Sequence, residues 1–193
     1  MSREIVMVGA SAGGLDAVCA LLRDLPADFR MALVVVQHRS RDSEALCEVL
    51  QDCTPLPTEE VVDKAPIDPG RVYIAPPDYH LLVERGHFSL SLDEPELYSR
   101  PSIDVSFGSA AEAYGAGVVG VVLTGANRDG ARGLRLIAAR GGHAIVQDPS
   151  SAEVPVMPAA ALAEVPAAEV LTIPRIAARL RALQPAGAGG GRA

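Results

Sequence analysis

The sequence predicts an α/β fold: a doubly wound, mostly parallel sheet with helices on both faces and a small antiparallel hairpin. Three observations carry that reading. Apolar runs of strand length alternate with segments of helical period, the pattern of consecutive strand–helix units. Runs such as Ala32–Val36 and Gly117–Leu123 are almost uninterrupted in apolar character, as strands buried on both faces must be. Between Arg71 and Leu92 the alternation breaks, and two short strands flank Arg85-Gly86-His87, the layout of a hairpin.

In order, the first strand is Glu4–Val8, followed by a Gly-rich turn. The next helix sets Leu15, Val18, Cys19 and Leu22 at i, i+3, i+4 and i+7, one face of a helix. After the strand Ala32–Val36, Ser43 can cap a helix whose inner face is Leu46, Val49, Leu50 and Cys53. Arg71–Ala75 reads as a strand, and His80–Glu84 with Phe88–Leu92 as the hairpin. A helix over Ile103–Tyr114 stops at Gly115, a residue suited to the left-handed turn that ends helices. Gly117–Leu123 is the next buried strand, and Ala131–Arg140 the helix after it, closed by Gly141. Ala144–Gln147 and Glu169–Ile173 are late strands, with helices at Met157–Glu164 and Arg175–Leu183. One domain over 1–184 and a flexible Gly/Ala-rich tail over 185–193 are expected.

Composition excludes several classes. The chain has 193 residues, 49% of them apolar, enough for one domain with a real core. No apolar run approaches the roughly 20 residues of a membrane helix, and the N-terminus lacks a signal-peptide layout, so the expected location is cytoplasmic, without membrane insertion. A formal net charge of −7 argues against nucleic acid as a partner. Three cysteines, none in a C-x-x-C pair, argue against a disulfide framework and a zinc site, and Cys19 and Cys53 read as small core fillers. No metal or other cofactor is implied; His80, His87 and His143 read as ordinary hairpin and strand residues.

Three polar residues stand just past the ends of three apolar strands: Ser11, His38 and Asp129. Ligands of open parallel sheets sit at the carboxyl ends of strands, where such residues can meet. Ser11 centres Gly9-Ala10-Ser11-Ala12-Gly13, a G-x-S-x-G turn between strand and helix that can expose a nucleophilic hydroxyl. The competing reading makes it a cap of the next helix. His38 would be the general base, and Asp129 the carboxylate that fixes its tautomer; their plainer readings are a loop residue and a helix cap. The order Ser, His, Asp differs from that of α/β-hydrolases, so the turn does not place the chain in that fold.

Gly9–Gly14, Val36-Gln37-His38 and Leu123-Thr124-Gly125 through Asp129-Gly130 resemble the catalytic segments of CheB-type chemotaxis protein-glutamate methylesterases. Val72–His80 and Ser99–Asp104 resemble further stretches of that family, so the likeness runs from Glu4 to Leu183. It implies hydrolysis of glutamyl methyl esters, and deamidation of glutamines, on the cytoplasmic helices of methylated chemoreceptors. Ser11 is then the nucleophile, His38 the base, Asp129 the orienting acid, and the N–H groups of Ala12 and Ala126 the oxyanion hole. The family loop T-G-M-G-x-D-G carries Ala126-Asn127 here in place of Met-Gly, and Ala12 replaces a frequent threonine. With a strand beginning near Glu4, no preceding receiver domain is expected, and a separate receiver protein or methyltransferase stays open as a partner. Arg39, Arg100, Arg128 and Arg132 fall beside the site loops, either as solvated charge or as a basic lip for acidic substrate side chains.

The same residues admit a serine esterase or amidase with another substrate, or a weakly catalytic partner-binding relative. A dinucleotide module is disfavoured, because Ser11 occupies the second glycine of G-x-G-x-x-G and no G-K-[ST] follows.

Overall fold

The computed structural model describes residues 4–38 and 46–185, which leaves Arg39, Ser43 and all but the first residue of the expected tail outside the described residues. Among the described residues, seven strands form one parallel sheet. They are β1 (Ile5–Ala10), β2 (Ala32–Gln37), β3 (Thr58–Glu60), β4 (Val72–Ile74), β7 (Val118–Val122), β8 (His143–Gln147) and β9 (Glu169–Leu171), in the spatial order β3-β4-β2-β1-β7-β8-β9. The hairpin strands β5 (His80–Glu84) and β6 (His87–Ser91) stand apart as an antiparallel pair. From β1 the chain builds β2 on one side and later β7 on the other. The carboxyl ends of β1, β2 and β7 therefore converge at the switch point where such sheets bind ligands.

Side-chain alternation along the strands sorts the core into two layers. Val6, Val8, Leu33 and Val35 face α1 (Gly14–Arg23), α2 (Leu46–Asp52) and α6 (Ile173–Leu183), packing against Leu22, Leu50 and Ile176. Ile5, Met7, Val34 and Val36 face α3 (Ile103–Tyr114), α4 (Ala131–Ala139) and α5 (Val156–Glu164), packing against Phe107, Leu134 and Met157. Each such fully buried side chain contributes about 1.5–3 kcal/mol of hydrophobic stabilisation. No described helix is long and apolar enough to cross a membrane.

Several expectations are corrected. Leu15 and Val49, assigned to inner helix faces, are each 37% exposed; α1 instead buries Ala17, Val18, Leu21 and Leu22. The strand β3 was not anticipated, because an edge strand of sequence Thr-Glu-Glu carries no apolar pattern. The last strand stops at Leu171 and α6 starts at Ile173, since Pro174 sits in the first helical turn where its missing N–H costs nothing. Cys19, on α1, and Cys53 do lie in the core, and they are also joined to each other by a disulfide, with Cα atoms 5.3 Å apart. An odd cysteine count excludes full pairing but not one bond.

Candidate active site

Ser11 and His38 are brought together by the sheet itself. In the β1–β2 ladder Ala10 stands opposite Gln37, so Ser11 and His38 are the next residues on neighbouring strands, about 4.8 Å apart by strand spacing. The ladder runs on past both strands: the His38 amide donates to the Ala10 carbonyl at 3.2 Å, and the Ser11 amide to the Thr124 carbonyl at 3.0 Å. Ser11 thus sits between His38 and the loop after β7. Its chain then turns sharply, with the Gly14 amide donating to the Ser11 carbonyl at 2.8 Å. Gly13 holds φ at 71°, where a Cβ would meet the Glu153 carboxylate at 2.6 Å. The Ser11 side chain does not cap α1, so that plainer reading fails. Among the described residues its hydroxyl is not hydrogen-bonded to His38; such bonds often close only when substrate binds.

His38 Nε2 lies 2.7 Å from Asp129 Oδ2, with the imidazole 13% exposed and the carboxylate fully buried. A carboxylate only accepts, so Nε2 carries the proton and Nδ1 keeps the free lone pair. Asn127 donates from Nδ2 toward that Nδ1 at 3.4 Å, and the Asp129 amide donates to Asn127 Oδ1 at 3.0 Å, which fixes the direction of the side-chain amide.

Asp129 does not cap the helix that follows it. Gly130 stands at that position, in the left-handed region, and the carboxylate instead caps α3. Oδ2 accepts from the Ile103 amide at 2.7 Å, while Oδ1 accepts from the Asp104 amide at 2.8 Å and the Ser102 hydroxyl at 2.9 Å. Asp104 returns the arrangement: its Oδ1 accepts from the Gly130 and Gly133 amides of α4, at 3.0 and 2.6 Å. The two helix N-termini are therefore cross-capped by each other's aspartates, and each places fixed positive charge at a buried carboxylate. Burial alone would push the Asp129 carboxyl up, but the hydrogen bonds from His38 and from the Asp104 and Ile103 amides outweigh it and hold the group below its ordinary range. For Asp104 burial wins: with the neighbouring Asp129 charge it raises the carboxyl against the opposing Gly133 amide bond.

The amides of Ala12 and Ala126 have no acceptor among the described residues, as an oxyanion hole requires. Thr124 ties their two turns together, its hydroxyl donating to the Ala12 carbonyl at 2.9 Å and accepting from the Val154 amide at 2.9 Å.

The basic lip is largely dissolved by the structure. Arg100 donates to the carbonyls of Leu92 and Asp93, at 3.0 and 3.1 Å, and so pins its own loop. Arg132 is paired with Glu96 and lies 3.7 Å from Asp104, and Arg39 is outside the described residues. Arg128 stays exposed without an ion pair among the described residues. Two functional neighbours were missed. Buried His80 accepts from the Ser102 amide at Nδ1 and donates from Nε2 to the Glu94 carbonyl, at 3.2 and 3.0 Å, which seats the start of α3. Asp104 carries no signal in the sequence beyond its place in the Ser99–Asp104 stretch of family likeness. Ser102 before an apolar helical run was a readable cap signal; its bond to Asp129 was not. No cluster of three or more metal-ligating side chains occurs among the described residues.

The profile of the CheB methylesterase family matches residues 6–180, a span that contains every strand end and helix terminus of this site. The chain belongs to the CheB methylesterase family. The crystal structure of the Thermotoga maritima CheB methylesterase catalytic domain superposes with a TM-score of 0.90 at 32% identity, covering 95% of this chain and all of that one. A Leptospira interrogans protein, provisionally named protein-glutamate methylesterase/protein-glutamine glutaminase, is 42% identical over 179 residues, 92% of this chain and 93% of its own. The protein-glutamate methylesterase/protein-glutamine glutaminase of group 3 operon from Pseudomonas putida is 40% identical over 180 residues, again 92% of this chain but 53% of its own. The doubly wound CheB methylesterase fold expected from the sequence is the fold observed.

Proposed function

We propose that the chain is a protein-glutamate methylesterase and protein-glutamine glutaminase that acts on chemoreceptor cytoplasmic helices through Ser11, His38 and Asp129. The observation that carries this reading is the 2.7 Å contact of His38 Nε2 with buried Asp129, one ladder step from Ser11. That contact leaves Nδ1 as the base. Ser11 Oγ attacks the ester carbonyl carbon while His38 Nδ1 takes its proton, Asn127 yielding the lone pair it faces at rest. The carbonyl oxygen becomes an oxyanion between the Ala12 and Ala126 amides. Collapse breaks the bond to the methoxy oxygen, which leaves as methanol with the proton from His38. Water, deprotonated by the same nitrogen, then cleaves the acyl-enzyme, releasing glutamate and restoring Ser11. With glutamine the leaving group is ammonia. Asp129 stabilises the imidazolium at each step and stays ionised, as a carboxyl held below its ordinary range must. The names of the Leptospira and Pseudomonas relatives support the substrate assignment.

Receptor membranes carrying tritiated methyl esters, incubated with the wild type and with Ser11→Ala, test the reading. Volatile methanol is expected from the wild type alone. Equal release from a folded Ser11→Ala variant, or none from a wild type that still reacts with a fluorophosphonate, would overturn it; the latter would favour an esterase with a different substrate.

A further inference from the structure

The segment joining β6 to α3 holds an apolar tip in solvent beside the candidate site. Its base is fixed by the bonds of Arg100 to the Leu92 and Asp93 carbonyls, of His80 to the Glu94 carbonyl, and of Arg132 to Glu96. At its end Glu96 and Ser99 form an antiparallel bridge, with the Ser99 amide donating to the Glu96 carbonyl at 2.8 Å. Leu97 and Tyr98 are therefore the two central residues of a tight turn, and their φ angles are 48° and 63°. Both lie in the left-handed region, where such turns favour Asn and Gly. A leucine and a tyrosine are strained there. Burial does not offset that strain at Tyr98, which is fully exposed at 103%, and Leu97 is 40% exposed.

Leu97 also lines a cavity of about 340 Å³ in which Arg128, Arg132 and Arg135 face Glu96, Asp104 and Glu164. Arg132 is matched by Glu96, and Arg135 by Glu164 at 3.0 Å. Arg128, one residue before Asp129, has no ion pair among the described residues. The patch therefore joins an exposed aromatic–aliphatic tip to an exposed cation that has no ion pair among the described residues. An amphipathic helix has the complementary form, with an apolar side chain a turn away from an acidic one. The chain carries a net charge of −7, so an acidic partner is held off except where a cation is free.

We infer that Leu97 and Tyr98 dock the apolar face of an acidic amphipathic helix of the substrate protein, with Arg128 taking a carboxylate, and so set the reacting side chain at Ser11. This rests on the proposed function, in that the substrate is a helical protein segment. A second copy of this chain is the competing occupant; it brings the same tip and the same arginine rather than a complement to them.

The test compares methanol release from a methyl-esterified chemoreceptor cytoplasmic fragment with the rate at which a small fluorophosphonate labels Ser11, in the wild type, Tyr98→Ala, Tyr98→Phe and Arg128→Gln. In Tyr98→Ala the ratio of kcat/KM on the fragment to the labelling rate should fall about tenfold, the loss typical of a truncated aromatic anchor. It should arise in KM, with Tyr98→Phe within about twofold of the wild type and Arg128→Gln intermediate. An unchanged ratio in Tyr98→Ala overturns the inference, as does a wild-type dimer in sedimentation that Tyr98→Ala dissociates. A wild type that labels but releases no methanol from the fragment sinks the proposed function and this docking together, a pattern distinct from the first.

Discussion

Replacing Asp129 by alanine removes one acceptor from four donors, and the consequences separate into stability and chemistry. The Ser102 hydroxyl and the Ile103 and Asp104 amides are buried at the start of α3 and lose their only common acceptor. At about 1–2 kcal/mol for each buried donor deprived of a charged partner, the variant should lose about 4 kcal/mol, a large part of an ordinary domain's 5–15 kcal/mol. Asparagine sharpens the test. Its single oxygen can serve either the Ile103 side or the Asp104 side, so in both orientations one helix amide faces an NH2 group, and the loss should be about 2 kcal/mol. The carboxyl is held below its ordinary range, so this stabilisation is fully present above the unfolded pKa of about 3.9 and fades as pH falls through the lower folded value. Urea denaturation at pH 7 and in acid measures all three quantities. An Asp129→Ala protein within about 0.5 kcal/mol of the wild type at pH 7 would refute the cross-capping argument.

Asp104 should behave with the opposite sign. Its folded carboxyl is raised by burial, so the wild type loses stability as pH rises through that value, and Asp104→Asn, whose oxygen can keep both α4 amides, should gain on the wild type between acid and neutral pH in the same denaturation series. Gly133→Ala would place a Cβ 2.5 Å from the Phe107 Cβ and 3.1 Å from the Asp104 backbone, so α3 and α4 must part; a loss of about 2–3 kcal/mol is expected by calorimetry, with slower labelling of Ser11. Asn127→Gly removes the amide that faces the base nitrogen, and fluorophosphonate labelling should speed up by about threefold to fivefold, the value of one weak neutral hydrogen bond; slower labelling would make Asn127 a support of His38 instead.

The central strands were legible because β1, β2 and β7 are buried on both faces and read as unbroken apolar runs. Edge strand β3 was not, since solvent-facing Thr58–Glu60 leaves no pattern to read. The gathering of Ser11, His38 and Asp129 at one end of the sheet was legible for a topological reason: each follows a strand that ends at the switch point, and neighbouring strands in register need no further information to bring Ser11 beside His38. What Asp129 binds was less accessible. A carboxylate before a helix looks like that helix's cap, and only tertiary packing turns it toward a helix 26 residues earlier in the chain. The surroundings of Arg100 and Arg132 were inaccessible for the same reason, because a guanidinium can be satisfied by carbonyls of its own loop, as Arg100 is, or by a carboxylate that folding brings in, as Arg132 is. The cysteines show the limit of counting, since parity carries no distances.

Mapping the fluorophosphonate adduct by mass spectrometry, with labelling rates for the wild type and for His38→Ala, tests the central claim most directly. The adduct should sit on Ser11, and labelling should slow by about 10³-fold or more without the imidazole. An adduct on another serine, or a His38→Ala protein labelled at the wild-type rate, would contradict it.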